Sequence, residues 1–228
     1  MLAPEEWSII GLSIKVGGVA VMGMLPIAFG IAWVLARLRF PGKLLVDALV
    51  HLPLVIPPVI TGWLLLILFG TQGVIGRWLA DWFGISLLFR WTGAALAAAI
   101  MAMPLMVRAM RMSIEAVDPR LEAAAQTLGA SPVRTFLTIT LPLSMPGIVA
   151  AAILGFARSI GEFGATITFV SSIPGETTTL SLAIYSAIQT ANGDMLVWRL
   201  TFLSVGLSFI ALLAAEWLSR WSRRAAAA

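Results

Sequence analysis

The run VGGVAVMGMLPIAFGIAWVLA, residues 16–36, holds 21 residues without a charge, and Arg37, Arg39 and Lys43 follow it at once. About 20 apolar residues rising 1.5 Å each match a hydrocarbon layer of about 30 Å, so this run reads as a helical membrane crossing. The rest of the chain has the same character. Of its 228 residues, 60% are hydrophobic and 11% charged, against about 25% charged in a soluble domain. Soluble globular and disordered classes are thereby excluded.

Four further runs lie downstream. Ala48–Phe69 carries His51, Pro53, Pro57 and Pro58. Trp91–Val107 is short for a crossing at 17 residues. Leu143–Ile173 is broken by Arg158 and Glu162, and the last run is Leu200–Ala215. Gly70, Gly73 and Gly76 mark turns in the polar stretch between the second and third runs. Leu180–Ile188 is amphipathic and too short to cross, so it reads as re-entrant or interfacial. The expected fold is an all-α, polytopic membrane protein with five transmembrane helices, forming one domain over residues 1–228.

Charge sets the orientation. Lys and Arg number three in loop 37–43, four in 108–134 and three at the C-terminus, against two in 70–90 and at most Arg199 in 174–199. The positive-inside rule then puts the N-terminus in the periplasm and the C-terminus in the cytoplasm, which requires an odd number of crossings. Glu5 and Glu6 stand where a signal peptide would be basic, so no cleaved leader is expected. The net charge of +4 is spread over loops rather than gathered into a patch, which argues against nucleic acid.

Enzymatic classes lack material. The chain has no cysteine, one histidine (His51) and one tyrosine (Tyr185), so thiolate catalysis, histidine clusters and most zinc sites are excluded. Gly42-Lys43-Leu44 is not a phosphate-binding loop, because Leu44 replaces the required Ser or Thr and Arg37 the upstream glycine. No catalytic residue and no resident metal or cofactor is expected.

Residues 115–142 form a loop built to fold in water. Asp118 suits an N-cap and Pro119 the first helical position, while Gly129 suits the end of the helix. Leu121, Ala124, Ala125 and Leu128 share one face at helical spacing. A second helix is expected to restart at Ser131-Pro132 and to stop at Pro142. The pair reads either as surface amphipathic helices or as a knob that enters a groove on a cytoplasmic partner.

The stretch Glu122-Ala-Ala-Ala-Gln-Thr-Leu-Gly129, nine residues, then Ile139-Thr-Leu-Pro142, resembles the EAA loop of bacterial ABC importer permeases. In that pattern the glutamate falls on Ala123, so Glu122 stands one residue early. Arg37–Lys43, His51–Pro58, Phe156–Thr166 and Ile173–Thr177 extend the resemblance to molybdate importer permeases over nearly the whole chain. The resemblance implies the type I ABC importer permease fold and a homodimer with the path on its two-fold axis. It also implies two cytoplasmic ABC ATPase subunits, on which ATP and Mg act, and a periplasmic molybdate-binding protein, with the lipid bilayer of the inner membrane around them. ATPase coupling would then fall to Arg120, Leu121, Glu122, Ala124, Ala125, Leu128, Gly129 and Ala130.

Polar residues within the apolar runs are the candidates for the translocation path. Arg158 and Glu162 lie four apart on one helix face and should pair inside the protein, as a structural ion pair or as part of a route for a dianion. Ser159 and Thr166 follow on the same segment, and Pro57 and Pro58 bend the second run, as a gate or as a fixed kink. His51 reads as a satisfied interfacial histidine, and Lys15 as a side chain that snorkels to the outer interface. The cargo expected is molybdate and tungstate. Sulfate or another oxyanion is the alternative within this class, and a stand-alone channel or secondary transporter is the alternative outside it.

Overall fold

The computed structural model describes residues 3–190 and 193–227, with side chains except at 211, 215, 216 and 218–227. Among the described residues the regular structure is helical throughout. The first helix, α1, spans Pro4–Arg37 and begins twelve residues before the apolar run that announced it. Two of the three charges in its first turns, Glu6 and Lys15, have partners. Glu6 accepts from Arg199 at 2.7 Å, and the Lys15 ammonium lies 3.7 Å from the centre of the Trp91 ring. Lys15 therefore has an aromatic partner within the chain.

The second apolar run is not one straight crossing. It is split into α2 (Lys43–Val55) and α3 (Pro58–Phe69), which meet at 112°. Pro57 and Pro58 both lack an N–H, and the residue before a proline is driven out of the α region. Pro57 accordingly has ψ 133° and Pro58 opens the next helix. Pro53 sits inside α2 without ending it. Among the described residues, four helices are long and apolar enough to cross a membrane, and five if the bent pair is one span.

An amphipathic helix, α4 (Val74–Phe83), leads to α5 (Trp91–Glu115). The crossing expected to be short continues past Val107 to Glu115. Its added turns carry Arg111, held by Asp47 at 3.0 Å and by Glu115 at 2.8 Å. The helix is the centre of the bundle. Its alanine-rich face lets α1 and α8 (Leu141–Ile160) come close, and Ala94, Ala97, Ala98, Ala102, Met106 and Met110 are buried there.

After α6 (Pro119–Thr127), a rod runs from Pro132 to Ile160 through α7 (Pro132–Thr135), a π-helical turn Phe136–Thr140, and α8. The expected stop at Pro142 is therefore overturned. The widened turn just before it makes room for the proline ring, so the helix passes through. A break at Gly161–Phe163 precedes α9 (Gly164–Val170). The short segment Leu180–Ile188 is α10, and it is packed into the bundle. Leu180, Leu182 and Ala183 are buried, and the Leu180 N–H donates to Ser13 Oγ at 2.8 Å. The last helix, α11 (Asp194–Ala227), packs on α8 and α10.

Close approach makes one glycine critical. A Cβ at Gly147 would lie 2.2 Å from the Ser113 Cβ and 3.0 Å from the Ala109 carbonyl oxygen. Backbone cannot yield as a flexible side chain can, so Gly147→Val must push α8 off α5. The expected loss is about 2 kcal/mol or more, read as a lower thermal midpoint in detergent. An unaltered midpoint would show that the two helices separate freely.

Candidate coupling surface and translocation path

Local chemistry builds the loop between α5 and α8. The Arg120 N–H donates to Asp118 Oδ1 at 2.9 Å, which caps α6, and Pro119 occupies its first position. Gly129 then turns the chain with φ +90°, and the Ala130 N–H closes on the Ala125 carbonyl at 3.0 Å. Ser131 caps the next turn by accepting from the Arg134 N–H.

No residue of α6 is buried. Arg120, Leu121, Ala124, Leu128 and Gly129 are exposed, Leu128 at 89%, while Ala125 and Ala130 are half-buried. An apolar patch held out on a short capped helix is unusual for a surface that meets only water. Glu122 does not belong to this outward face. Its Oε1 accepts from Arg37 Nη2 at 2.7 Å and from Thr140 Oγ1 at 2.5 Å. Neither partner is adjacent in sequence: Arg37 ends α1, 85 residues earlier, and Thr140 closes the π-helical turn. Local patterning carried no signal for this pairing.

Deeper in the bundle, Arg158 Nη1 meets Glu162 Oε2 at 2.7 Å, with 25% of the Arg158 side chain and 2% of the Glu162 side chain exposed. Glu162 Oε1 accepts from the Ala165 N–H at 2.8 Å, so the carboxylate also holds the start of α9. Ser159 and Thr166 are buried, and the Ser159 hydroxyl has no hydrogen-bond partner among the described residues. Thr168 bonds back to the Gly164 carbonyl. Pro57 and Pro58 are exposed at the elbow between α2 and α3.

The structure brings this elbow against the break at Gly161–Phe163. A Cβ on Gly164 would sit 2.8 Å from the Pro58 Cβ, and one on Gly62 would sit 2.5 Å from the Ala165 carbonyl oxygen. Two interrupted helices thus place their irregular segments side by side. Such backbone at membrane depth is tolerated only where protein buries it or where it lines a water-filled cavity.

Between α2 and the C-terminal turns of α5, a cavity of about 360 Å³ is lined by Asp47, His51, Arg108, Arg111, Met112 and Glu115. His51 is partnered there, with Nδ1 donating to the Asp47 carbonyl at 2.8 Å. Among the described residues no group of three or more His, Asp or Glu side chains is arranged to hold a metal ion.

Residues 25–224 match the family described as binding-protein-dependent transport system inner membrane component. The chain is 54% identical to the molybdenum transport system permease protein ModB of Escherichia coli K12 over 226 residues, 99% of each chain. It is also 54% identical to ModB of Haemophilus influenzae over 215 residues, 94% of each. The sulfate transport system permease protein CysT of E. coli is more distant, 41% identical over 158 residues, 69% of this chain and 57% of that one. Among solved structures, the MetNI methionine ABC transporter aligns with a TM-score of 0.74 at 17% identity, covering 97% of this chain and 99% of that one. A bacterial ABC transporter for alginate import aligns at 0.73 and 21% identity, covering 96% of this chain and 80% of the other.

Proposed function

The chain belongs to the family of binding-protein-dependent transport system inner membrane components, and from that membership we propose that it is the permease subunit of an ATP-driven molybdate importer. The observation that carries the cargo is the near full-length identity to the ModB permeases; the sulfate permease matches less of both chains. Tungstate, similar in charge and shape, is the expected second cargo.

The subunit is non-catalytic. ATP and Mg act on two partner ATPases, which dock on the outward face of α6 and the turn at Gly129. This docking is supported by the exposure of Leu121, Ala124 and Leu128. Residues 115–142 are the coupling loop within a single permease domain, 1–228. A periplasmic binding protein delivers the anion, the N-terminus faces the periplasm and the C-terminus the cytoplasm. Two copies pair about an axis that carries the path. The path runs past the Pro57–Pro58 elbow and the segment holding Arg158, Ser159, Glu162 and Thr166. The adjoining breaks in α2–α3 and α8–α9 support that route.

Energy must come from outside the chain. Moving a dianion against an interior-negative potential costs roughly 2.3 kcal/mol per charge per 100 mV, or nearly 5 kcal/mol for two charges. Labelled-molybdate uptake tests the proposal in cells that lack their own high-affinity system and are given this chain, its ATPase and its binding protein. Saturable uptake that tungstate blocks and excess sulfate does not is the expected result. Blockage by sulfate would move the cargo, and uptake without the ATPase would overturn the importer mechanism.

A further inference from the structure

Glu122 stands on the coupling helix yet faces the membrane bundle. Its single carboxylate oxygen Oε1 collects two donors from two different helices, Arg37 at the end of α1 and Thr140 at the start of α8. Both members of the ion pair are about four-fifths buried, with 19% and 20% of their side chains exposed. The same two helices are clasped a second time by aromatic rings. The Trp33 ring meets Phe136 edge-on, with centroids 4.9 Å apart, and the Arg37 guanidinium lies 5.8 Å from the Trp33 centroid. Phe136 and Thr140 are the two ends of the π-helical turn. Such turns recur at functional positions, because the i→i+5 ladder is less regular than the helix around it.

From this geometry we infer that Glu122 is a positioning residue rather than a docking contact: it ties the coupling helix to the inner ends of α1 and α8, through Arg37 and Thr140. A push on α6 then reaches two crossings at once, one on each side of α5. Without the tie, α6 is joined to α5 through Ala116–Asp118 and to α8 through Leu128–Ser131 and the rod that follows, and α1 receives nothing directly. The inference rests on the proposed docking of an ATPase at α6.

The test uses the whole importer in proteoliposomes, with molybdate as the probe and three separate readouts: ATPase association, ATP hydrolysed, and molybdate moved per ATP. Glu122→Gln keeps the shape and an acceptor for Thr140 but removes the charge. It should leave association within about twofold of the parent and lower molybdate per ATP by roughly fivefold or more. Arg37→Gln should do the same. The double variant should be no worse than either alone, because the two side chains act as one unit. Thr140→Val, which keeps the ion pair and the side-chain volume, should show a smaller loss in the same readout. It serves as the second probe if neutralising the pair prevents insertion.

Parental molybdate per ATP in Glu122→Gln, losses that multiply in the double variant, or weakened association would each overturn the assignment. The docking reading fails in a different way. In that case Ala124→Trp, on the outward face, would alter neither association nor transport.

Discussion

Tryptophan at Ala124 is expected to leave the permease folded in the membrane and, on the proposed docking of an ATPase at α6, to cost it both that partner and uptake. Ala124 is exposed on a helix with no buried residue, so the indole can point away from the bundle in the isolated chain. On the docked face as proposed it has no room. The apolar surface of Leu121 and Leu128 is continuous with it, and a docking groove shaped for a methyl group cannot take an indole without displacing the helix. An interface of this kind concentrates its binding energy in a few central contacts, so association should weaken on the order of 100-fold or more. Gly129→Val should act on the same interface more mildly. At φ +90° a β-branched residue costs about 1–2 kcal/mol, which frays the end of α6 and leaves its face otherwise intact. The decisive measurement is co-purification of the ATPase with each variant. Retained association and normal uptake in Ala124→Trp would remove α6 from the coupling surface.

Arg158→Ala is expected to be the most destabilising single change in the bundle. It leaves the Glu162 carboxylate, with only 2% of its side chain exposed, facing no cation. Breaking a buried pair from one side costs about 3–5 kcal/mol, chiefly through the charge left behind. Adding Glu162→Gln removes that charge and should restore most of the thermal midpoint. The amide oxygen still accepts from the Ala165 N–H, which keeps α9 anchored. Uptake should not return with stability, because the exposed quarter of Arg158 supplies the cationic surface that the proposed path offers to a dianion. Full uptake by the stable double variant would reduce the pair to a structural clasp.

Local sequence signals located most elements because each depends on near neighbours. The apolar runs, the Asp118 and Ser131 caps and the glycine turn at Gly129 involve residues within about one helical turn. The same locality explains where reading by pattern went astray. Arg108 and Arg111 looked like the edge of a crossing, yet α5 continues because Asp47, 64 residues away, balances Arg111. Pro142 looked like a stop, and the π-helical turn carried the helix through it. Leu180–Ile188 read as re-entrant or interfacial by length, and packing decided that one face of it, Leu180, Leu182, Ala183 and Ala187, is buried in the bundle.

Glu122 shows most directly where local reading ends. Spacing placed it on a capped amphipathic helix and the family resemblance gave that helix a docking role, but only packing turned its carboxylate toward Arg37 and Thr140. The sequence by itself determined that the chain lives in lipid, that it is helical, where it bends and which loop folds as a capped helix outside the apolar runs. These properties follow from transfer free energies and from hydrogen bonds between residues at most five apart. Tertiary structure alone decided the 112° elbow, the meeting of Pro58 with Gly164 and the tie from α6 to α1 and α8. Each depends on how close two helix surfaces can approach, and that distance is set by every side chain along both faces at once.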